Sequence, residues 1–156
     1  MSIELKEAIQ IKAFNELDAI TWHDIAALRV EVFVVEQDCV YQDLDGKDPQ
    51  SFHLVLYKKK KLLATLRILP MGLGYPEAVA IGRVVSSPDA RGEGIGHLIM
   101  DAAIAFIKEN YPRELIKLSA QRHLEQFYAA HGFQICGDGY LEDGIPHIPM
   151  KFQPKL

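Results

Sequence analysis

The sequence predicts an α/β (α+β) fold, a mixed sheet with helices on both faces, and three observations predict it. Runs of apolar, β-branched residues alternate along the chain with stretches whose apolar positions recur every three or four residues. One such run, Ile81-Gly-Arg-Val-Val-Ser86, stops before Pro88, crosses a loop with glycines at 92, 94 and 96, and enters a helical stretch at once. The chain then closes on two more strand-like runs joined across Gly137 to Gly144, a stretch that holds the hairpin-turn dipeptide Asp143-Gly144. Strands separated by helices and followed by a hairpin require parallel and antiparallel neighbours in one sheet.

Each element has its own warrant. Ile9, Ile11 and Ala13 alternate with Gln10 and Lys12, which marks a first strand over about 9–14. Thr21-Trp-His-Asp24 reads as a capping box with Asp in place of Glu, opening a helix that carries Trp22, Ile25, Ala26, Val32 and Phe33 and runs to about Glu36. Between Gln37 and Gln50 the periodicity lapses and Asp38, Asp43, Asp45 and Asp48 gather around Gly46 and Pro49. Composition makes this a solvated loop in the ordinary reading and an ordered loop beside a site in the sharper one. Two strands follow, 52–57 and 62–69, and the lysines from Lys58 to Lys61 between them read as a polar hairpin tip rather than a phosphate patch.

The central strand covers about 78–86. Ile95, Leu98, Ile99, Ala102, Ala103, Phe106 and Ile107 form one helical face that Asn110 and Pro112 close. A strand over 115–120, a short helix from about His123 that stops at Gly132, and strands over 133–136 and 145–152 complete the chain.

The 156 residues, 49% of them hydrophobic, suit one domain over 1–156 that buries ~70% of its unfolded surface without staples. The charge, 17 basic against 21 acidic residues for a net of −4, offers no footprint for nucleic acid or an anionic membrane. Cys39 and Cys136 are not spaced as a metal or redox pair and are expected as free thiols. The histidines lack metal-ligand spacing, so no metal is expected. The amino terminus is charged where a secretory signal is apolar, and no stretch reaches transmembrane length, so the expected location is cytoplasmic, with a homodimer left open.

The glycine loop carries the chemistry. Bare N–H groups at a helix start, where the helix dipole is positive, receive a phosphate. A Walker loop would end in Gly-Lys-Ser/Thr and a dinucleotide fingerprint would read G-x-G-x-x-G, and this loop has neither. Arg91-Gly-Glu-Gly94-Ile-Gly96 does match the Arg/Gln-x-x-Gly-x-Gly/Ala pattern of GNAT-type N-acetyltransferases, and Gln121-x-x-Leu124-x-x-x-Tyr128-x-x-x-Gly132-Phe133 resembles the second half of that pattern. Leu28 to Gln37, Ile81 to Val84, Ala120-Gln121 and Glu142-Asp-Gly-Ile-Pro-His147 resemble the family's ElaA branch, so the resemblance spans nearly the whole chain.

The resemblance implies a mixed seven-stranded sheet whose fourth and fifth strands splay into a V. Acetyl-CoA is the implied co-substrate, its pyrophosphate on Arg91, Gly92, Glu93, Gly94, Ile95 and Gly96 and its pantetheine on the backbone of Val84, Val85 and Ser86. Gln121 stands where most of the family has Asn, also at the cofactor. Pro149 lacks a ladder donor in a strand that the resemblance puts inside the sheet, so a bulge is expected near it.

Acetyl transfer to an amine needs a neutral amine and a proton for the departing thiolate. Amines titrate near ~10.4 and thiols near ~8.5, so a base acts early and a weak acid late. Tyr128 stands at the family's acid position; otherwise it is a core residue of a short helix. For the base, Glu36 acting through a water and His147 are the candidates, against a structural carboxylate and an ordinary strand histidine. Cys39 has no activating neighbours in sequence and is read as structural or incidental.

Arg67 and Arg83, in adjacent strands, either form a fork for an anionic acceptor or pair internally with Glu36 or with the 43–48 loop, the latter being favoured. The expected function is N-acetyl transfer to a small-molecule or peptide amine. A silent CoA-binding module, and an acyl-homoserine-lactone-synthase-like enzyme suggested by Arg29, Val32, Phe33, Glu36 and Gln37, are the alternatives.

Overall fold

The computed structural model describes residues 8–154. In chain order the elements are β1 (Ile9–Ala13), α1 (Ala19–Arg29, continued in wider π turns over Val30–Glu36), β2 (Phe52–Lys58), β3 (Lys61–Leu69), β4 (Ala78–Ser86), α2 (Ile95–Asn110), β5 (Leu115–Gln121), α3 (Glu125–Ala129), β6 (Gln134–Ile135), β7 (Tyr140–Glu142) and β8 (Ile145–Phe152). The sheet order is β1-β2-β3-β4-β5-β8-β6, with β7 also on β8. Every neighbouring pair is antiparallel except β4 and β5, which run parallel.

The central strands are apolar on both faces because each face has a helix against it. Ile25, Leu28 and Val32 of α1 pack on Val55, Leu62 and Val85. Ile95, Ile99, Met100 and Ala103 of α2 pack on Leu54, Leu56, Leu66 and Val79 from the other side. At about 1.5–3 kcal/mol for each large apolar side chain buried, these two layers hold the sheet between them.

Four local features differ from the sequence expectation or sharpen it. The first helix is capped one turn earlier than the Thr21 box implies: Asp18 accepts from the Thr21 N–H at 2.7 Å, and Asp24 instead accepts from the Tyr57 hydroxyl at 2.7 Å. The Lys59-Lys60 pair forms the β2–β3 tip with both φ angles positive, at 50° and 64°. No bulge interrupts β8, because its register with β5 runs unbroken through Ser119↔Pro149. Pro149 presents its donor-free nitrogen to the other side, where its carbonyl accepts from Cys136 N–H at 2.9 Å. The interruption falls on that neighbour instead: β6 and β7 lie end to end along β8, parted at 136–139, so eight segments fill seven strand positions.

The fourth feature lies in β4. Arg67 pairs with Gly82 and Thr65 with Val85, so Leu66 faces two residues, and Arg83 takes a positive φ of 51°. A β-bulge with a left-handed non-glycine residue is a costly backbone that its surroundings must hold. The bulge re-aims Arg83 toward the face of Arg67, where both reach one carboxylate, Asp45.

The β4–β5 ladder is short. Only Ala78↔Leu115, Val79↔Ile116 and Ala80↔Lys117 pair, and beyond Lys117 β5 continues beside β8 alone. From Ile81 to Ser86 the side of β4 away from β3 carries no strand, and this is the V.

The short helix α3 ends through Gly132, at φ 93°, where an added Cβ would stand 3.0 Å from the Phe152 ring. Gly132→Ala is therefore expected to destabilise the protein by about 1–3 kcal/mol, seen as a lower urea midpoint with unchanged slope.

Candidate active site

The V opens into a cavity of about 710 Å³. Its walls include Val84 from the free side of β4, Ser119 and Gln121 from β5, Tyr128 from α3, and Tyr140 and His147 from the closing hairpin. Asp143 and Gly144, both at positive φ, turn that hairpin so that Tyr140, Glu142 and His147 face the cavity together. The Tyr140 ring stacks on His147 at 6.0 Å, and its hydroxyl hydrogen-bonds Ser119 Oγ, which ties the hairpin to β5.

The acidic loop is ordered, and the solvated reading of it is overturned. Asp43 and Asp48 are 4% and 3% exposed, because three arginines bind them. Arg29, 1% exposed, donates from Nε to Asp43 at 2.8 Å and from a terminal nitrogen to Asp48 at 2.7 Å. Arg67 meets Asp45 at 2.6 and 2.9 Å and Asp48 at 3.0 Å. Arg83 lies 2.8 Å from Asp43 and donates to its backbone carbonyl at 2.9 Å.

Three cations and three anions cancel, which is what permits their burial. Burial alone would raise the Asp48 carboxyl, but Arg29 and Arg67 override it and hold it below the usual carboxylate range. Hydrogen bonds from Arg67 hold Asp45 well below that range against partial burial. The fork expected for an anionic acceptor is thus filled by protein carboxylates. Arg67 and Arg83 both line the cavity, but only Arg83, with 24% of its side chain exposed, keeps an open edge toward it.

Among the residues expected to move protons, Tyr128 is buried at the cavity wall, and its hydroxyl has no hydrogen-bond partner among the described residues. Burial pushes its phenol up to about 12. His147 donates from Nδ1 to the Ile145 carbonyl at 2.7 Å, since a carbonyl can only accept. That fixes the basic lone pair of the neutral ring on Nε2, 3.4 Å from a Glu142 carboxylate oxygen. Glu36 is off the cavity wall: Arg91 grips both its oxygens, at 2.6 and 3.1 Å. The Cys39 thiol reaches the Asp143 carbonyl at 3.4 Å and lines the cavity.

Gln121 exchanges amide hydrogen bonds of 3.3 Å with Gln37 across the mouth. Sequence reasoning missed Tyr41, Tyr75, Tyr140 and Glu142 as cavity residues. It also did not see Arg29 as buried, although an arginine inside the apolar stripe from Ile25 to Val32 was the available signal.

The glycine loop lies between β4 and α2. Gly92 and Gly94 take φ of 86° and 74°, and Gly94 caps α2 without a side chain. The first intrahelical bond is Leu98 N–H to Gly94 C=O, and the N–H groups from Gly92 to His97 have no acceptor among the described residues. Gly96 has a packing reason as well: a Cβ there would stand 3.2 Å from the Phe127 ring of α3.

The family model for the acetyltransferase (GNAT) domain matches residues 18–154. The chain belongs to this GNAT family. Within it the chain falls in the ElaA-like branch: the crystal structure of Escherichia coli ElaA superposes with a TM-score of 0.87 at 37% identity, covering 93% of this chain and 98% of that one. An acyl-CoA N-acyltransferase from Pseudomonas aeruginosa gives 0.86 at 40% identity, covering 92% and 98%. A UPF0039 protein of Synechocystis is 43% identical over 141 residues, 90% of this chain and 91% of its own length. The GNAT fold, with its parallel β4–β5 pair, and an acyltransferase activity follow for the chain.

Asp48→Ala removes the carboxylate shared by Arg29 and Arg67 and is expected to destabilise the protein by about 3–5 kcal/mol. The pH dependence has a defined sign. Asp45 and Asp48 titrate lower when folded, so their contribution is full above the ordinary value of ~3.9 and is lost as pH falls through the folded value. Urea midpoints from neutral pH down to about pH 3 should fall more steeply for wild type than for Asp48→Ala.

Proposed function

We propose that this GNAT protein transfers an acetyl group from acetyl-CoA directly to the amine of a small molecule or peptide. The observation that carries the reading is the parting of β4 from β5 beyond Ala80↔Lys117, with the unpartnered amides from Gly92 to His97 beside it. Pantetheine carries secondary amides that can take the strand position left empty beside Val84, Val85 and Ser86, needing backbone groups and no particular side chain. The pyrophosphate then meets the amides of Gly92 to Gly96 at the positive end of α2. Arg91 is paired with Glu36, which ties the head of the loop to the last turn after α1.

In the reaction the amine nitrogen attacks the thioester carbonyl carbon, the C–S bond breaks, and the amine proton leaves to a base. His147 is the base we assign: Nε2 is the free nitrogen, and Glu142 at 3.4 Å stabilises the imidazolium once the proton arrives. Tyr128 serves the leaving sulfur. With the phenol at about 12 against a thiol near ~8.5, complete transfer to a free thiolate is uphill. The hydroxyl therefore acts while charge builds on sulfur, as a hydrogen-bond donor always protonated at neutral pH. Arg67 and Arg83 hold the 43–48 loop as a wall of the acceptor site, and the open edge of Arg83 is the contact we assign to an anionic group on the acceptor.

Three variants test this reading. Gly94→Val should abolish CoA binding by calorimetry while the protein stays folded, because a β-branched residue both resists positive φ and covers the amides. Tyr128→Phe should lower kcat by about 10²–10⁴-fold with little change in acetyl-CoA affinity. His147→Gln should remove the acidic limb of the pH–rate profile. A wild type that binds CoA but releases no thiol with any amine in a broad screen would favour the silent CoA-binding module instead.

A further inference from the structure

On the outer side of the phosphate loop three side chains form a chain that the acetyl-transfer chemistry does not use. Asp101 Oδ1 lies 3.0 Å from His131 Nδ1, and His131 Nε2 lies 2.8 Å from His97 Nδ1. The Phe127 ring packs against both imidazoles, with centroids 4.7 Å from His97 and 5.4 Å from His131. The His131 side chain is 7% exposed, whereas His97 is open to solvent.

The carboxylate decides where protons sit. Asp101 can only accept, so His131 carries hydrogen on Nδ1, and when neutral its Nε2 is an acceptor. His97 must then donate from Nδ1, which leaves its Nε2 as the only vacant nitrogen of the pair. A proton taken up by the chain appears at that outer nitrogen, with the exposed Asp101 carboxylate as counter-charge on the far side of the buried His131.

His97 is the third residue of α2, its own N–H is one of the unpartnered amides, and its ring packs on Phe127, the same ring that lies against Gly96 of the loop. Among the described residues the other charged groups here are Lys108 of α2, which lines the same groove as Asp101 and His131, and Arg91 and Glu93 in the loop, and β8 brings Phe152 into the groove.

We propose that His97 is a further binding residue for the phosphates of acyl-CoA, made cationic by a proton that His131 and Asp101 direct to its Nε2. The inference rests on the reading that acyl-CoA occupies the loop. His131 and Asp101 are positioning residues: they act through His97. A phosphate beside His97 favours its charged form, so binding takes up a proton and is strongest at low pH, weakening as the imidazole loses its charge.

The probe is dephospho-CoA, because the 3′-phosphate of CoA itself titrates near ~6, as phosphomonoesters do, whereas a pyrophosphate diester keeps its charge. Calorimetry at about pH 5.5 and about pH 8.5, in buffers of different ionisation heat, reads affinity and proton uptake together. Wild type should bind about tenfold more tightly at the lower pH, the equivalent of one unit of pKa linkage, with net proton uptake between the two extremes. His97→Gln should bind equally at both pH values with no uptake. His131→Gln should reduce uptake while leaving binding at the higher pH unchanged.

A His97→Gln protein that keeps the wild-type pH dependence overturns the inference and leaves the CoA reading standing. A wild type that binds neither dephospho-CoA nor CoA at any pH overturns both.

Discussion

Arg29 sits 1% exposed between α1 and the sheet, and a guanidinium there is tolerable only because Asp43 and Asp48 come to it. Once those two carboxylates are fixed, the rest of this cavity wall follows. Asp48 also receives Arg67 from β3 and presents its carbonyl to His53 Nε2 at 3.0 Å. Asp43 also receives Arg83 and the Tyr41 hydroxyl, the latter at 2.7 Å. A loop without periodic structure thereby becomes a rigid wall, held by charge-assisted bonds rather than by apolar burial. The positive φ of Arg83 belongs to the same constraint, since the bulged backbone brings its side chain to Asp43 and to Asp45, the carboxylate it shares with Arg67.

The cleft comes from a second, simpler constraint. A parallel pair needs a long crossover, and α2 supplies it between β4 and β5. After three paired residues β5 continues with β8, leaving the later half of β4 with one edge bare. A bare edge inside a sheet is a liability unless something pairs with it. In this fold the loop that starts α2 lies at the same end of β4, so an elongated ligand with amides in its middle and phosphates at one end satisfies both the empty edge and the empty amides. In the proposed reading the roles separate physically: backbone groups are left for the cofactor, while side chains from the closing hairpin, α3 and the acidic loop line the cavity.

How much of this was legible in sequence depends on the range of the interaction. The strands at 78–86 and 115–120, the helix from Ile95 to Asn110 and the Asp143-Gly144 turn were readable because periodicity, glycine and proline act over a few residues. The glycine loop was readable for the same reason. The Asp18 cap was misplaced by three residues because Thr21 and Asp18 are both good caps, and only the chain's direction on entering the helix chooses between them. The interruption at 136–139 was expected on the wrong strand. Which side of β8 the Pro149 nitrogen faces is a matter of register, and composition does not carry register.

What the sequence determined by itself is the class of sheet, the position of its helices and a glycine-rich helix start whose N–H groups are left bare. Only the tertiary structure decided which charges are buried. Arg29 and Asp43 are 14 residues apart, Arg67 and Asp45 are 22 apart, and Arg83 and Asp43 are 40 apart. The cost of burying a charge is set by the partner that folding delivers, so the same aspartates read as solvated in the chain and as the centre of a neutral cluster in the fold. The proton chain from Asp101 through His131 to His97 is of the same kind, because its contacts join residues 30 and 34 positions apart that only the packing of α3 on α2 brings together.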